Sequence, residues 1–257
     1  MASIQDGTVA TYTDKGIARI TFSHPAHNAM PGTQLKRLAA AITEAGRNPD
    51  VKVLVLASGG NRTFCAGASF DELMAIHDEV SGKAFFMGFA NVINAMRKCP
   101  KFIIGRVQGK AVGGGVGLAS ATDFCVATRY AAVKLSELAI GIGPFVVGPV
   151  VERKIGRSAF MAMSIAASEW FAPEWAREKG LFTRIFDTTE EMDEYIHQLA
   201  NRLAAYSPDA MAELKKVFWS GTEHWDTLLP ERAAISGRLV LSPFTKDFID
   251  RFKAGQS

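Results

Sequence analysis

Short apolar runs alternate with longer segments of helical spacing along the first two thirds of the chain. Apolar side chains recur every three or four residues over 33–47, which predicts an amphipathic helix. The β-branched runs at 51–58 and 102–107 predict buried strands, and the segments 8–13 and 16–23 predict a pair of strands joined by a turn. The β–β–helix order repeats loosely without a clean sequence period, which favours an α/β fold.

Beyond residue 144 the pattern becomes mainly helical. Helical spacing and Pro or Gly boundaries predict helices over 146–155, 158–167, 173–180, 189–206, 208–220, 228–241 and 245–253. One short strand, over 181–186, interrupts them. We therefore expect an α/β core over residues 1–195 and a helical C-terminal region over residues 196–257.

The composition is that of an ordinary globular protein with one large core: 257 residues, 48% hydrophobic, with a mean hydropathy of +0.07. The net charge is only +3, and no dense run of Lys and Arg with interleaved aromatics occurs, so we expect no nucleic-acid partner. No apolar run is long enough to span a membrane, and the first residues do not have the pattern of a signal peptide. We expect a cytoplasmic protein without a membrane partner.

The three cysteines give no sign of a structural site. Cys65, Cys99 and Cys125 are odd in number, widely spaced and without a C-x-x-C pair. This spacing predicts neither a disulfide framework nor a zinc site, so we expect no metal.

Candidate chemistry concentrates in residues 101–149. Gly113-Gly114-Gly115 follows a predicted strand and opens a run of small residues that predicts a tightly packed helix. Glycines at such a place let the backbone approach a ligand and leave N–H groups free for a negatively charged oxygen. Glu137 is a lone carboxylate in apolar surroundings, which is typical of a tuned acid or base. The alternative is that the glycines only permit close packing and that Glu137 caps the next element.

A nucleotide site is the competing interpretation of the same stretch. The segment from Gly115 to Ser120 nearly fits G-x-G-x-x-G, and Glu137 follows about 20 residues later. The third position is Ser120, however, and residues 108–112 separate the strand from the glycines. The fit is weak, and no G-x-x-x-x-G-K-[ST] phosphate loop occurs in the sequence.

A set of short motifs in fixed order makes the chain resemble the crotonase (enoyl-CoA hydratase/isomerase) superfamily over nearly its whole length. The motifs are Asn28-Ala29, Phe64-Cys65-Ala66-Gly67-Ala68, Val107-Gln108-Gly109, Gly113-Gly114-Gly115, Thr122-Asp123, Ser136-Glu137 with Gly141 and Pro144, and Ala176 with Gly180-Leu181. Around the glycines and Glu137 the sequence is most similar to a bacterial branch of methylglutaconyl-CoA-hydratase-like members.

The resemblance implies a spiral of ββα units with a C-terminal helical trimerisation region, and a homotrimer or a dimer of trimers. It implies an acyl-CoA thioester as the ligand, with no separate cofactor because CoA is part of the substrate. The backbone N–H groups of Ala68 and Gly114 would stabilise an enolate oxygen. The other implied substrate-binding positions are Ala66, Gly67, Gly113 and Gly117. We also expect His27 to contact the substrate in place of a Lys that often meets the CoA phosphate, and Phe145 to form part of the pocket wall.

One departure from the family pattern affects the expected reaction. Well-known hydratases of this family hold a water between two glutamates; here Glu137 matches one, and Gly117 stands where the other would be. We expect a 2-enoyl-CoA hydratase working with Glu137 alone. Two alternatives remain open: isomerisation, decarboxylation or thioester hydrolysis through the same enolate, and a non-catalytic CoA-binding protein.

Overall fold

The computed structural model describes residues 7–253. Its strands are β1 Thr8–Asp14, β2 Ile17–Ser23, β3 Val53–Ser58, β4 Thr63–Cys65, β5 Phe102–Val107, β6 Lys110–Val112, β7 Phe124–Thr128, β8 Val133–Lys134 and β9 Arg184–Phe186. Its α-helices are α1 Gly32–Arg47, α2 Phe70–Met74, α3 Glu79–Lys98, α4 Gly114–Ser120, α5 Gly148–Ile155, α6 Arg157–Ile165, α7 Pro173–Glu178, α8 Thr189–Ala204, α9 Pro208–Phe218, α10 Trp225–Leu239 and α11 Pro243–Lys253.

The main sheet has the strand order β1-β2-β3-β5-β7-β9. β1 and β2 form an antiparallel hairpin, and every other pair is parallel. The hairpin turns at Lys15 and Gly16, which have φ of 47° and 79°. All of β3 is buried, as its continuous apolar run predicts for a central parallel strand. The predicted strands of the main sheet are confirmed, with β9 shorter than predicted.

A second sheet consists of three short strands in the order β4-β6-β8. β3, β5 and β7 of the main sheet are each followed by one of these strands and then by one or more helices. This is the ββα repeat that the family resemblance implies, so the predicted fold class is confirmed. The sequence patterns did not predict these three strands, because they contain only two or three residues and show no periodicity.

Helices cover both faces of the main sheet. On one face, α8 packs Met192, Ile196 and Ala200 against buried residues of β3, β5 and β7. The predicted boundary after residue 195 falls inside this continuous helix. On the other face, α3 crosses α10 so closely that a Cβ atom at Gly82 would lie 2.7 Å from the carbonyl oxygen of Gly237. No helix within residues 7–253 is long and apolar enough to cross a membrane.

Two buried amide side chains hold the connection between β3 and β4. Asn28 adopts φ of 57°, and its Nδ2 donates hydrogen bonds to the carbonyl oxygens of Gly59 and Thr63, both at 2.8 Å. Gln108 Nε2 donates to Ser58 Oγ at 2.9 Å. These two motif residues therefore have structural roles that fix the loop leading to β4.

A buried ion pair joins the helical C-terminal region to the sheet. Lys215 Nζ bonds to Asp123 Oδ2, and the two side chains are 3% and 5% exposed. Trp219 Nε1 donates to Asp123 Oδ1 at 2.9 Å, and the Ile103 amide donates to Oδ2 at 2.8 Å. All of these bonds are made to one carboxylate, which fixes α9 beside β5 and β7.

We predict that Asp123→Ala lowers the free energy of unfolding by about 3–5 kcal/mol, because it leaves the Lys215 ammonium buried without a partner. Urea denaturation of both proteins measures the difference. Glu213→Ala is the matched control, since it breaks the exposed pair with Lys216 and should cost less than about 1 kcal/mol. Equal stabilities of the Asp123 variant and wild type would contradict the structural role of this pair.

Candidate active site

A cavity of about 270 Å³ lies where the loop before α2, the start of α4 and the segment after β8 meet. One wall, which we call the near wall, is formed by seven residues of these segments: Ala66, Gly67, Ala68, Gly113, Gly114, Ser136 and Glu137. Its remaining walls are apolar and come from α2, α3, α11 and residues 140–147, with Ser236 from α10. The cavity therefore brings together the two glycine-rich segments that the sequence singled out.

Glu137 contributes the carboxylate of the cavity. It follows β8 and precedes a 3₁₀ turn, Leu138–Ile140, whose end is fixed by a bond from the Ile142 amide to the Glu137 carbonyl at 3.0 Å. The residue is half-buried, but its Oε2 atom is fully buried and accepts no hydrogen bond from residues 7–253. Burial raises the pKa of Glu137 from 4.5 to about 7, because the ionised form loses its hydration. Near neutral pH this group can both accept and return a proton.

Gly113 makes room for that carboxylate. Its φ is 52°, a conformation that side-chain-bearing residues rarely adopt. A Cβ atom at Gly113 would also lie 3.0 Å from Glu137 Oε1. The amide of Gly113 donates to the Lys134 carbonyl at 2.9 Å, which pairs β6 with β8. The carboxylate is therefore held against the first residues of α4.

The backbone N–H groups of Ala68 and Gly114, both at the near wall, have no hydrogen-bond acceptor among the described residues. The neighbours of Ala68 both bond to Met30, with the Met30 amide donating to Gly67 at 2.8 Å and the Ser69 amide donating to Met30 at 3.1 Å. In this parallel pairing the Ala68 N–H points away from Met30. Gly114 is the first residue of α4, so its N–H has no partner within the helix.

The two amides lie on segments that approach closely. Gly67 has φ of 93°, and a Cβ atom there would lie 3.8 Å from the Gly114 nitrogen. A Cβ atom at Gly114 would lie 2.3 Å from the Phe89 ring, and one at Gly115 would lie 2.5 Å from the Cys65 carbonyl oxygen. The glycines thus do permit close packing, and that packing is also what places two unpaired donors at one wall.

Gly117 is placed differently from the other predicted site residues, because it does not line the cavity. A Cβ atom at Gly117 would lie 2.5 Å from Val147 Cγ1. Val147 therefore occupies the space into which a side chain at Gly117 would extend, and Val147 itself lines the cavity. An acid at this position would have to displace the valine.

Of the two remaining predicted positions, one lines the cavity and the other does not. Phe145 lines the cavity together with the near-wall residues. His27 lies on an exposed loop with φ of 53° and is not part of the lining, so its role in ligand binding stays a prediction. Sequence reasoning missed Phe248 and Phe252 of α11, which also line the cavity. Their spacing of four residues on a helix was the available signal.

The arrangement offers one acid or base with a near-neutral pKa and two unpaired N–H donors across a small, mostly apolar cavity. No other described residue that lines it has an ionisable side chain. Such a site can stabilise an oxyanion while one carboxyl group moves a proton beside it.

A family model for enoyl-CoA hydratase/isomerase matches residues 12–251. A peroxisomal Delta(3,5)-Delta(2,4)-dienoyl-CoA isomerase from Arabidopsis thaliana is 26% identical over 227 residues, covering 82% of this chain and 80% of that protein. An ethylmalonyl-CoA decarboxylase from Xenopus laevis is 28% identical over 228 residues, covering 87% and 75%. The crystal structure of an enoyl-CoA hydratase from Bacillus halodurans has a TM-score of 0.87 at 20% identity, covering 94% of this chain and 98% of that one.

The structural likeness shows the shared fold, and the family model extends over almost all of the described residues. The chain belongs to the enoyl-CoA hydratase/isomerase family.

Proposed function

We propose that the protein shifts the double bond of an enoyl-CoA thioester between the 3 and 2 positions, with Glu137 as the only acid and base. The family processes acyl-CoA thioesters, but its members named above include an isomerase, a decarboxylase and a hydratase. The observation that supports isomerisation is the packing of Val147 against Gly117. It leaves one carboxylate in an apolar cavity, and a 1,3-proton shift needs only one.

In the proposed reaction, the thioester oxygen accepts hydrogen bonds from the N–H groups of Ala68 and Gly114. The Glu137 carboxylate removes a proton from the α-carbon of a 3-enoyl thioester, and the electron pair moves onto the thioester oxygen as a dienolate. The two donors stabilise that developing charge. The Glu137 carboxyl group then returns the proton to the γ-carbon, which gives the 2-enoyl thioester and restores the carboxylate.

Hydration of a 2-enoyl thioester, which the sequence favours, is the second candidate. The buried and unpartnered Oε2 of Glu137 could hold a water, remove its proton during attack at the β-carbon and return that proton at the α-carbon. We rank hydration second because the cavity offers this water only one carboxylate. Decarboxylation and thioester hydrolysis have less support, since each brings a carboxylate or a water to mostly apolar walls in which no described residue besides Glu137 has an ionisable side chain.

We also propose a homotrimer, or a dimer of trimers, as the functional assembly. Exposed apolar side chains on α6 and α9 support this proposal: Met161, Ile165, Leu214, Val217 and Phe218. Apolar surface of this kind is typical of sites of protein association.

The reaction is tested with 3-hexenoyl-CoA and 2-hexenoyl-CoA, each followed by absorbance of the conjugated thioester and by mass. We expect interconversion without change of mass, and a rate lowered by about 10²–10⁴ in Glu137→Gln. Glu178→Gln, at an exposed position, is the matched control and should behave as wild type. Gain of one water that depends on Glu137 would establish hydration instead, and full activity of Glu137→Gln would exclude both candidates.

The oxyanion donor at Ala68 is tested by Ala68→Pro. Proline removes the N–H, and the preceding Gly67 tolerates it because a glycine has no Cβ to clash. We expect a loss of about 10²–10³ in kcat with nearly unchanged affinity for a saturated acyl-CoA. Ala68→Ser keeps the N–H and should retain most activity. Equal activity of the Pro and Ser variants would remove the amide from the mechanism. Gly114 is less suitable, because any Cβ atom there meets Phe89.

The raised pKa of Glu137 predicts the pH dependence of catalysis. Because the base must be ionised, kcat/KM should rise tenfold per pH unit on the acid side and level off above about pH 7. Stability should change in the opposite sense, since the folded state favours the protonated carboxyl group. The stabilisation of the folded state by protonated Glu137 is complete below about pH 4.5 and is lost as the pH rises through about 7.

Wild type should therefore lose stability relative to Glu137→Gln across that pH window, by at most about 3 kcal/mol. Denaturation of both proteins between pH 4 and pH 8 measures this difference. A rate that is already constant above about pH 5, or a stability difference that does not change with pH, would contradict the placement of Glu137 in a dry site.

A further inference from the structure

We propose that the acyl end of the cavity selects neutral, apolar acyl groups and excludes those that carry a distal carboxylate. The proposal rests on the proposed function in one respect, since the thioester is placed at Ala68 and Gly114. It concerns binding rather than the reaction, and it assigns the selectivity to aromatic side chains of α2, α3 and α11.

Aromatic side chains of α2, α3 and α11 form one part of the cavity lining. Phe70 of α2 lies against Phe252 of α11, with ring centroids 4.4 Å apart. Phe85 and Phe86 of α3 meet edge to face at 5.0 Å, and Phe248 completes this wall. Rings in such contacts present hydrocarbon surface to a ligand and leave no hydrogen-bonding group directed at it.

Glu137 is the one ionisable side chain among the described residues of the lining. Arg232 of α10 lines a separate groove on the other side of Gly143–Phe145 and is not part of this lining. The hydroxyl groups of the lining belong to Ser69, Ser136 and Ser236, and the Ser69 hydroxyl already accepts a bond from the Glu72 amide.

A distal carboxylate on the acyl group would lie against this aromatic wall, where no described lining residue supplies a cation. It would lose its hydration and would also lie in the same small cavity as the Glu137 carboxylate, and both effects oppose binding. A methyl group in the same place has no charge hydration to lose, and burial of its apolar surface favours binding. We expect a preference of at least about 100-fold for the neutral acyl group.

The α11 wall is fixed to the catalytic segment. A Cβ atom at Gly141, four residues after Glu137, would lie 2.5 Å from both the Phe244 ring and Thr245 Oγ1. Thr245 is fully buried and donates to the Leu239 carbonyl at 3.2 Å. The helix that carries Phe248 and Phe252 is therefore anchored against the turn that carries the acid.

This inference separates the chain from the methylglutaconyl-CoA-hydratase-like branch that its motifs resemble, because that acyl group ends in a carboxylate. The glycine motif and the Ser136-Glu137 motif, which carry that resemblance, line the wall where we place the thioester. We place the acyl group against the aromatic residues of α11, so that these residues select the substrate.

The test compares hexanoyl-CoA with adipyl-CoA, which has the same number of acyl carbons but ends in a carboxylate. Titration calorimetry with the full-length protein measures both affinities without any turnover. We expect hexanoyl-CoA to bind at least about 100-fold more tightly than adipyl-CoA, and adipyl-CoA to bind no better than CoA. Similar affinities for the two thioesters, or hexanoyl-CoA binding no tighter than CoA, would overturn the proposal.

A charge introduced into the wall gives a second test. Phe252 is 46% exposed, so Phe252→Arg should fold, raise adipyl-CoA affinity about tenfold and lower hexanoyl-CoA affinity. Tyr12→Arg, at a position 71% exposed on β1, is the matched control and should leave both affinities unchanged. Equal effects of the two substitutions would show that Phe252 does not form the acyl wall.

Failure of the proposed function would give a different experimental result from failure of the acyl-group selectivity. It would appear as no double-bond shift in 3-hexenoyl-CoA while the preference for hexanoyl-CoA persists.

Discussion

The close approach of the Gly113–Gly115 backbone to its neighbours is the constraint on which the site depends. Added Cβ atoms would lie 3.0 Å from the Glu137 carboxylate, 2.3 Å from the Phe89 ring and 2.5 Å from the Cys65 carbonyl, in that order. Any side chain there would push α4 away from β4 or from the acid. With none, an unpaired amide at the start of α4 and one in the loop before α2 lie beside a single carboxylate. The ββα repeat creates this meeting point, because β4, β6 and β8 form one small sheet beneath it.

The isolation of Glu137 determines what the site can do. Its surroundings are mostly hydrocarbon and backbone, so ionisation is disfavoured and the pKa rises to about 7. A second acid at Gly117 would share the site in a two-carboxylate hydratase, but Val147 occupies that volume. The aromatic residues of α11 extend the same apolar environment to the acyl end. Proton transfer, choice of reaction and choice of acyl group therefore all depend on one carboxylate in a cavity that offers it little hydration.

The sequence predicted α1, the helices after residue 144 and the strands β1, β2, β3, β5 and β9, because their periodicity or β-branched runs extend over several residues. It did not predict β4, β6 and β8, which are too short to show a pattern. The glycines and Glu137 were found because amide donors and a lone acid are local features. The sequence showed Gly117 as a missing acid, but only tertiary packing shows that Val147 fills its place. The aromatic wall of α11 lies more than 100 residues from Glu137 along the chain, so no local pattern links the two.

The protonation state of Glu137 in the resting protein tests this account most directly. Infrared difference spectra of wild type against Glu137→Gln, recorded between pH 5 and pH 9, isolate the carbonyl band of this one carboxylic acid. We expect a carboxyl group that is protonated at the acid end of this range and ionises with a midpoint near pH 7. A carboxylate already fully ionised at pH 5 would contradict it, because the acid would then be hydrated or paired rather than isolated in an apolar cavity.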